Sequence, residues 1–226
     1  MDKIDYDLCI IGGGINGAGV ARDAAGRGLS VLLLEAKDLA RGTSSASTKL
    51  IHGGLRYLEF FEFKLVRESL QEREKLLAIA PHIISPMEFV LPHNAQQRPF
   101  WMIRLGLFLY DHLARRQRLS GSRGVNLKAS ALGVPLADYY TRGFVYSDCW
   151  VDDARLVVLN AMDAAEKGAR ILTRSPCTKI EPKSEFWVVH YKGQGDQKER
   201  CIRASMVVNA AGPWVRKVLE DSGLDS

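Results

Sequence analysis

Apolar positions along the chain fall into two kinds of run. Short, nearly continuous runs at residues 6–11, 30–34, 169–173 and 206–210 have the pattern of strands buried on both faces of a parallel sheet. Longer stretches predict helices at 15–27, 62–80 and 153–167, closed by Gly28, Pro81 and Gly168. The first helix is rich in small residues (Ala18, Gly19, Ala21, Ala24, Ala25), and the second is amphipathic. Its expected buried side is Leu65, Leu70, Leu76, Leu77 and Ile79. Alternation over 186–192, a polar stretch at 193–199 and a return at 200–204 predict a hairpin. Gly212-Pro213-Trp214 opens a last helix. Residues 41–54, rich in Ser, Thr and Gly, read as a loop, and residues 81–99, punctuated by prolines, read as irregular. The sequence has no internal repeat. This order predicts a doubly wound α/β domain built from 1–60 and 149–226, with a small antiparallel β meander. A largely helical insertion spans 61–148.

Composition adds little to that picture. The 226 residues, 46% apolar and 25% charged, suit one large domain with an insertion. The longest apolar run, 99–110, is broken by Arg104 and is too short to span a membrane. The acidic start, Met1 to Asp5, has no signal-peptide architecture, so a cytoplasmic location is expected. Cys9, Cys149, Cys177 and Cys201 form no CxxC pair, and Cys9 reads as a small core residue. His52, His82, His93, His112 and His190 lack metal-ligand spacing, so no metal is expected.

Charge is informative by its placement. The net charge is +5, and residues 98–124 hold six arginines (98, 104, 115, 116, 118 and 123) against one acid, Asp111. Beside the bulky residues of 100–119, predicted helical, this suits a lipid interface. A buried helix with solvated arginines fits the composition as well. Nucleic-acid binding lacks a recognisable module.

Gly12-x-Gly14-x-x-Gly17 lies between the first strand and the first helix, and Glu35 follows eighteen residues later at the end of the next strand. The first glycine permits the tight turn, the second admits a pyrophosphate, and the third lets helix and strand pack closely. The helix N-terminus suits the diphosphate and Glu35 suits ribose hydroxyls. This is a Rossmann-like dinucleotide site, and the pattern alone does not separate FAD from NAD.

Further blocks narrow the choice. Thr43-Ser44-Ser45-Ala46-Ser47-Thr48-Lys49 runs into Leu50-Ile51-His52-Gly53-Gly54-Leu55-Arg56-Tyr57-Leu58. Tyr146-Ser147-Asp148-Cys149-Trp150-Val151-Asp152-Asp153-Ala154-Arg155-Leu156 and Val207-Val208-Asn209-Ala210-Ala211-Gly212-Pro213-Trp214 come later. Together with Ile10 to Gly19, these blocks resemble the FAD-dependent, respiratory glycerol-3-phosphate dehydrogenases, within the wider group similar to glycine and D-amino-acid oxidases. The resemblance covers essentially the whole chain.

It implies an FAD site at Gly12, Gly13, Gly14, Ile15, Asn16 and Gly17, at Glu35 and Ala36, and at Thr43, Ser44 and Ser45. Lys49, Leu50, His52, Gly53, Gly54 and Leu55 continue that site, and Thr178, Ala211, Gly212 and Trp214 complete it. Small residues at Gly53 and Gly54 would let backbone approach the isoalloxazine ring. His52, Arg56 and Tyr57 are the implied catalytic set. The Arg56 fork suits a phosphate-bearing substrate, against the plainer reading of an arginine paired to Glu59. His52 is a candidate general base, or equally a flavin-packing histidine.

The implied activity is oxidation of sn-glycerol 3-phosphate to dihydroxyacetone phosphate, with a quinone as electron acceptor. The protein would sit on the cytoplasmic face of the inner membrane through residues 98–124, with a homodimer left open. A sibling oxidase using oxygen on the same substrate or an amine, and a non-catalytic FAD-binding or membrane-associating fragment, remain as alternatives. Chains of the family are longer than this one, so apolar surface around residues 207–219 is expected to be exposed.

Overall fold

The computed structural model describes residues 3–193, 195 and 198–224. They form two compact units, residues 1–48 with 153–226 and residues 49–152. The first unit opens with β1 (Tyr6–Ile11), α1 (Ile15–Gly26) and β2 (Val31–Leu34), the two strands parallel with Cys9 level with Leu32. The small residues of α1 are its buried face: Gly17, Ala18, Ala21, Ala24 and Ala25. Gly28 ends the helix as its spacing predicts. Its amide donates to Ala25 O at 2.9 Å and that of Leu29 to Ala24 O at 3.2 Å, which satisfies two terminal carbonyls.

The second unit holds β3 (Leu50–Ile51), α2 (Phe63–Ile79), β4 (Ile84–His93), α3 (Phe100–His112), β5 (Arg123–Asn126) and β6 (Arg142–Val151). β6 pairs antiparallel with β4 along its whole length, from Ile84↔Val151 to His93↔Arg142, and β3 and β5 also pair with it. The insertion thus carries an antiparallel sheet beside its helices. Residues 84–93, expected to be irregular, form a strand despite Pro86 and Pro92. Among the described residues β4 pairs on one side only, and on its open edge a missing amide costs no ladder bond.

Leu50 and Ile51 pair with Trp150 and Cys149, and the Val151 amide donates to Lys49 O at 2.9 Å. Residues 49–60 and 149–152 therefore sit in the second unit, and the boundaries fall at 48/49 and 152/153.

α2 buries only part of the face its leucines suggest, at Leu70 and Leu77. Val66, Leu70, Arg73, Glu74 and Leu77 are buried, whereas Leu65 is 43% and Ile79 60% exposed. The buried positions keep helical spacing, but two of them are charged, which hides the stripe from a search for apolar residues.

The chain then completes the first unit with α4 (Asp153–Glu166), β7 (Arg170–Leu172), β8 (Cys177–Pro182), β9 (Trp187–Lys192), β10 (Glu199–Asn209) and α5 (Val215–Asp221). The sheet order is β7-β2-β1-β10-β9-β8. The first four strands are parallel, and β9 and β8 add the antiparallel meander. β10 is one strand where the sequence suggests two. Ala204 is fully buried within it, and Met206, expected inside, is 60% exposed.

One sheet face packs Leu8, Ile10, Val31 and Leu33 against alanines 21, 24, 25 and 164 of α1 and α4. On the other, Cys9, Ile11, Leu32 and Leu34 meet Ile180, Val189 and Tyr191 of the meander, with Val218 and Leu224 alongside. Helices cover one face and the meander covers the other. Trp214 and Val215 are exposed, whereas Val218 packs inward. Gln194, Asp196 and Gln197 of the predicted hairpin loop lie outside the described residues, as do Met1 and Asp2.

Candidate functional site

In the first unit the glycine turn, the serine-rich loop and the end of β10 converge. A Cβ on Gly17 would lie 1.8 Å from Gly12 O, so the helix can approach the strand this closely only with glycine there. Gly12 itself has φ of +111° and sits against Ala210 O. Gly14 precedes α1 and offers no side-chain cap, and no acid lies in the first turn. Instead the Ile15 amide donates to Ser44 Oγ at 2.9 Å, which places the 3-10 turn Thr43–Ser45 at the helix N-terminus. Ile15 and Asn16 are exposed beside it.

Glu35 accepts the Gly13 amide at 2.6 Å and the Lys37 amide at 2.7 Å, one on each carboxylate oxygen. A carboxylate has about four lone-pair positions, so capacity for ribose hydroxyls remains. Ala36 beside it is exposed. Gly42 packs against the Trp214 ring, whose Cζ3 would be 3.0 Å from an added Cβ. Ala211 and Gly212 form the turn before it, held by Asn209, which accepts from the Ala211 amide at 3.3 Å and donates to Val215 O at 3.0 Å.

Thr178 lies apart from this cluster in its bonding. Its hydroxyl donates to Glu199 at 2.6 Å, although the Ser175 amide three residues earlier is bound to Glu35 O at 2.8 Å. Two residues of the 146–156 block take structural roles that the sequence reading left unassigned. In this unit, Asp153 at the start of α4 accepts from Ser47 at 2.8 Å.

In the second unit, His52, Arg56 and Tyr57 are exposed. The Gly54 amide donates to His52 Nδ1 at 3.0 Å. Both glycines of the His52-Gly53-Gly54 turn answer to packing inside this unit. A Cβ on Gly53 would lie 2.4 Å from Leu70 Cδ2 and 2.8 Å from Tyr110 Cε2, and one on Gly54 would lie 2.5 Å from Tyr57 Cδ2. Glu59, the acid expected to compete for Arg56, instead accepts from Arg98 at 3.2 Å, and Arg56 makes no ion pair among the described residues.

Beneath the turn lies a network that sequence reasoning missed. The Gly53 amide donates to Tyr110 Oη at 2.6 Å, and Tyr110 donates to Asp148 Oδ1 at 2.8 Å. Arg73 Nη1 reaches the same oxygen at 2.5 Å and Ser147 O at 3.2 Å. All three side chains are buried. Burial, and then the Asp148 charge, push the Tyr110 phenol far above its ordinary pKa. The usable signal was Asp148 within the 146–156 block, facing an arginine in phase with Val66, Leu70 and Leu77.

Residues 7–225 match the profile of the family described as FAD dependent oxidoreductase. The chain belongs to that family. D-erythritol 1-phosphate dehydrogenase of Brucella abortus is 61% identical over 95% of this chain and 43% of its own length. Glycerol-3-phosphate dehydrogenase of Pseudomonas aeruginosa is 58% identical over 96% of this chain and 41% of its own. The chain therefore spans about two fifths of the curated relatives it matches. Among solved structures, glycerol-3-phosphate dehydrogenase from Bacillus halodurans, complexed with FAD, aligns with a TM-score of 0.72 at 30% identity. That alignment covers 97% of this chain and 36% of that one. Glycine oxidase from Geobacillus kaustophilus shares the fold, with a TM-score of 0.72 at 22% identity over 96% of this chain and 58% of that one.

FAD is the cofactor of this FAD-dependent oxidoreductase family, and the first unit fits it. A helix start with no acid in its first turn and only the neutral Ser44 hydroxyl on its Ile15 amide attracts a diphosphate, Glu35 retains acceptor capacity for a ribose, and the glycine turn carries no Cβ to fill the approach. Among the described residues no cluster of His, Cys, Asp or Glu could hold a metal.

Proposed function

We propose that this chain holds FAD through Gly12 to Gly17, Glu35, the 43–45 turn and Ala211 to Trp214, and that it serves the oxidation of sn-glycerol 3-phosphate to dihydroxyacetone phosphate. The observation that carries the substrate half of this reading is Arg56, exposed and without an ion pair among the described residues, while Glu59 pairs with Arg98. A guanidinium in that state is ready to bind phosphate oxygens bidentately. In this reading Tyr57 lies beside the bound phosphate ester and His52 hydrogen-bonds the secondary hydroxyl. When bound, FAD supplies a two-electron acceptor for the hydrogen leaving the carbinol carbon.

The relative named D-erythritol 1-phosphate dehydrogenase favours a second reading, a longer phosphorylated polyol on the same arginine. The two are separated by anaerobic reduction of the FAD-loaded chain with each substrate in turn. We expect glycerol 3-phosphate to reduce the flavin, and Arg56→Ala to weaken the half-saturation concentration about ten- to a hundredfold, the worth of one charged hydrogen-bonded contact. Reduction by erythritol phosphate alone would replace the first reading with the second. Reduction that is indifferent to Arg56→Ala would contradict both.

The reading extends to peripheral attachment at the cytoplasmic face of the inner membrane, with quinone as acceptor. Its support is the face of α3 on which Trp101, Leu105 and Phe108 are exposed at helical spacing. Charge contributes less than the six arginines suggest. Arg98, Arg116 and Arg123 pair with Glu59, Asp111 and Glu88, and Arg104 donates to Ser122. Arg115 and Arg118 remain exposed without an ion pair among the described residues. None of the described helices is long and apolar enough to cross a membrane.

Replacing Trp101, Leu105 and Phe108 together by serine is expected to lower sedimentation with anionic vesicles at least about tenfold. Salt is expected to weaken the wild-type binding only modestly, since each exposed arginine contributes about 1 kcal/mol. Equal sedimentation of the wild type and the triple variant would remove α3 from the attachment.

A further inference from the structure

We propose that Tyr110 is the positioning residue for His52. Backed by Asp148 and Arg73, it holds the Gly53 amide and so sets the turn in which the Gly54 amide fixes the proton of the neutral His52 ring on Nε2. The inference deepens the reading above, in which that ring meets the substrate hydroxyl.

A phenol has one proton and two lone pairs, and a carboxylate only accepts. The Arg73 guanidinium donates to Asp148 Oδ1 at 2.5 Å, the pairing expected of a carboxylate. The Tyr110 proton therefore points to Asp148, at 2.8 Å, and an oxygen lone pair is left for the Gly53 amide at 2.6 Å. Gly53 is wedged against Leu70 and Tyr110 with no room for a side chain, so the turn cannot slide inward. One residue later, Gly54 takes up a left-handed φ of +71° and donates to His52 Nδ1 at 3.0 Å. A neutral imidazole carries one proton, and a nitrogen that accepts cannot hold it. The exposed ring thus presents a donor, Nε2–H, so in this tautomer it orients the substrate oxygen rather than acting as general base, and the hydroxyl proton leaves to solvent.

A network whose role was only to stabilise the insertion would be served as well by apolar residues, because burying an arginine and an aspartate is costly. This one is not fully satisfied even so. Arg73 Nε and Glu74 Oε1 are buried without a hydrogen-bond partner among the described residues. Its polar chain ends on a backbone amide of the His52 turn.

The test is the ring ¹⁵N spectrum of the whole chain at mildly alkaline pH, with the His52 signals assigned by their loss in His52→Gln. We expect a wild-type ring with the proton on Nε2. In Tyr110→Phe, which removes one oxygen, we expect a mixture of tautomers and faster Gly53 amide exchange. The increase should be about ten- to a hundredfold, the factor for one lost buried hydrogen bond. His190, in the other unit, should not change. A wild-type ring protonated on Nδ1 would overturn the proposal without any variant. So would a Tyr110→Phe chain whose His52 tautomer and Gly53 exchange match the wild type, or one whose exchange rises equally throughout α2 and α3. Glycerol 3-phosphate that leaves the His52 signals unmoved in the FAD-loaded wild type would sink the functional reading separately, with the tautomer result intact.

Discussion

Gly17→Ala is expected to abolish measurable FAD uptake while leaving the second unit folded. The added Cβ would sit 1.8 Å from Gly12 O, a backbone atom on the strand that the helix packs against. Neither partner is a movable side chain, so α1 must shift outward by more than an ångström to restore ordinary contact. Overpacking of this kind costs about 1–3 kcal/mol, and more where backbone meets backbone. The same shift carries the Ile15 amide away from Ser44 Oγ and pulls the helix start off the position that suits a diphosphate. A flavin titration should show affinity reduced at least about a hundredfold, equivalent to roughly 3 kcal/mol. Gly19→Ala, where an added Cβ meets nothing within 4 Å, is the control and should bind as the wild type does. Equal binding by both variants would mean that the cofactor does not depend on the close approach of α1 and β1.

Arg73→Met carries the second large effect. It removes the cation and leaves Asp148 buried, with Tyr110 as its remaining side-chain donor among the bonds that hold it. Breaking one side of a buried pair costs about 3–5 kcal/mol, which lowers the thermal midpoint by roughly 10 °C for a chain of this size. Lys75→Met, on the same helix but pairing with Glu72 at an exposed position, should change stability by less than about 0.5 kcal/mol. Calorimetry on the two variants makes the comparison. A loss below about 1 kcal/mol for Arg73→Met would show that Asp148 finds other partners, and the network would no longer explain how the turn is held.

The sequence was most legible where one physical requirement dominated. The glycines of the β1–α1 turn, the small residues facing β1 and the glycine after each of α1 and α4 are local demands, and each matched its expected element. Composition marked the serine-rich loop and resemblance supplied its cofactor role, and the structure gave its Ser44 and Ser47 specific partners, the Ile15 amide and Asp153.

Legibility failed where tertiary context overrode local signals. Prolines that usually interrupt a strand are tolerated on β4 because it pairs on one side only. β8, with Lys, Glu and Pro in six residues, lacks a clean alternation and was missed. The buried stripe of α2 was read only in part, at Leu70 and Leu77, because two of its other members are ions whose partners are distant in sequence. Arg73 meets Asp148 across 75 positions. Such pairing leaves no periodic trace, and it is also why Tyr110 could not be singled out. The packing of Gly53 and Gly54 against Leu70, Tyr110 and Tyr57 likewise had no local signal.

Whether these residues form a working FAD site is decided by the visible spectrum of the purified chain after incubation with FAD and gel filtration. Flavin bands that elute with the protein, are absent from Gly17→Ala and bleach on anaerobic addition of glycerol 3-phosphate are the predicted result. Flavin that elutes entirely free of the wild-type chain would contradict it.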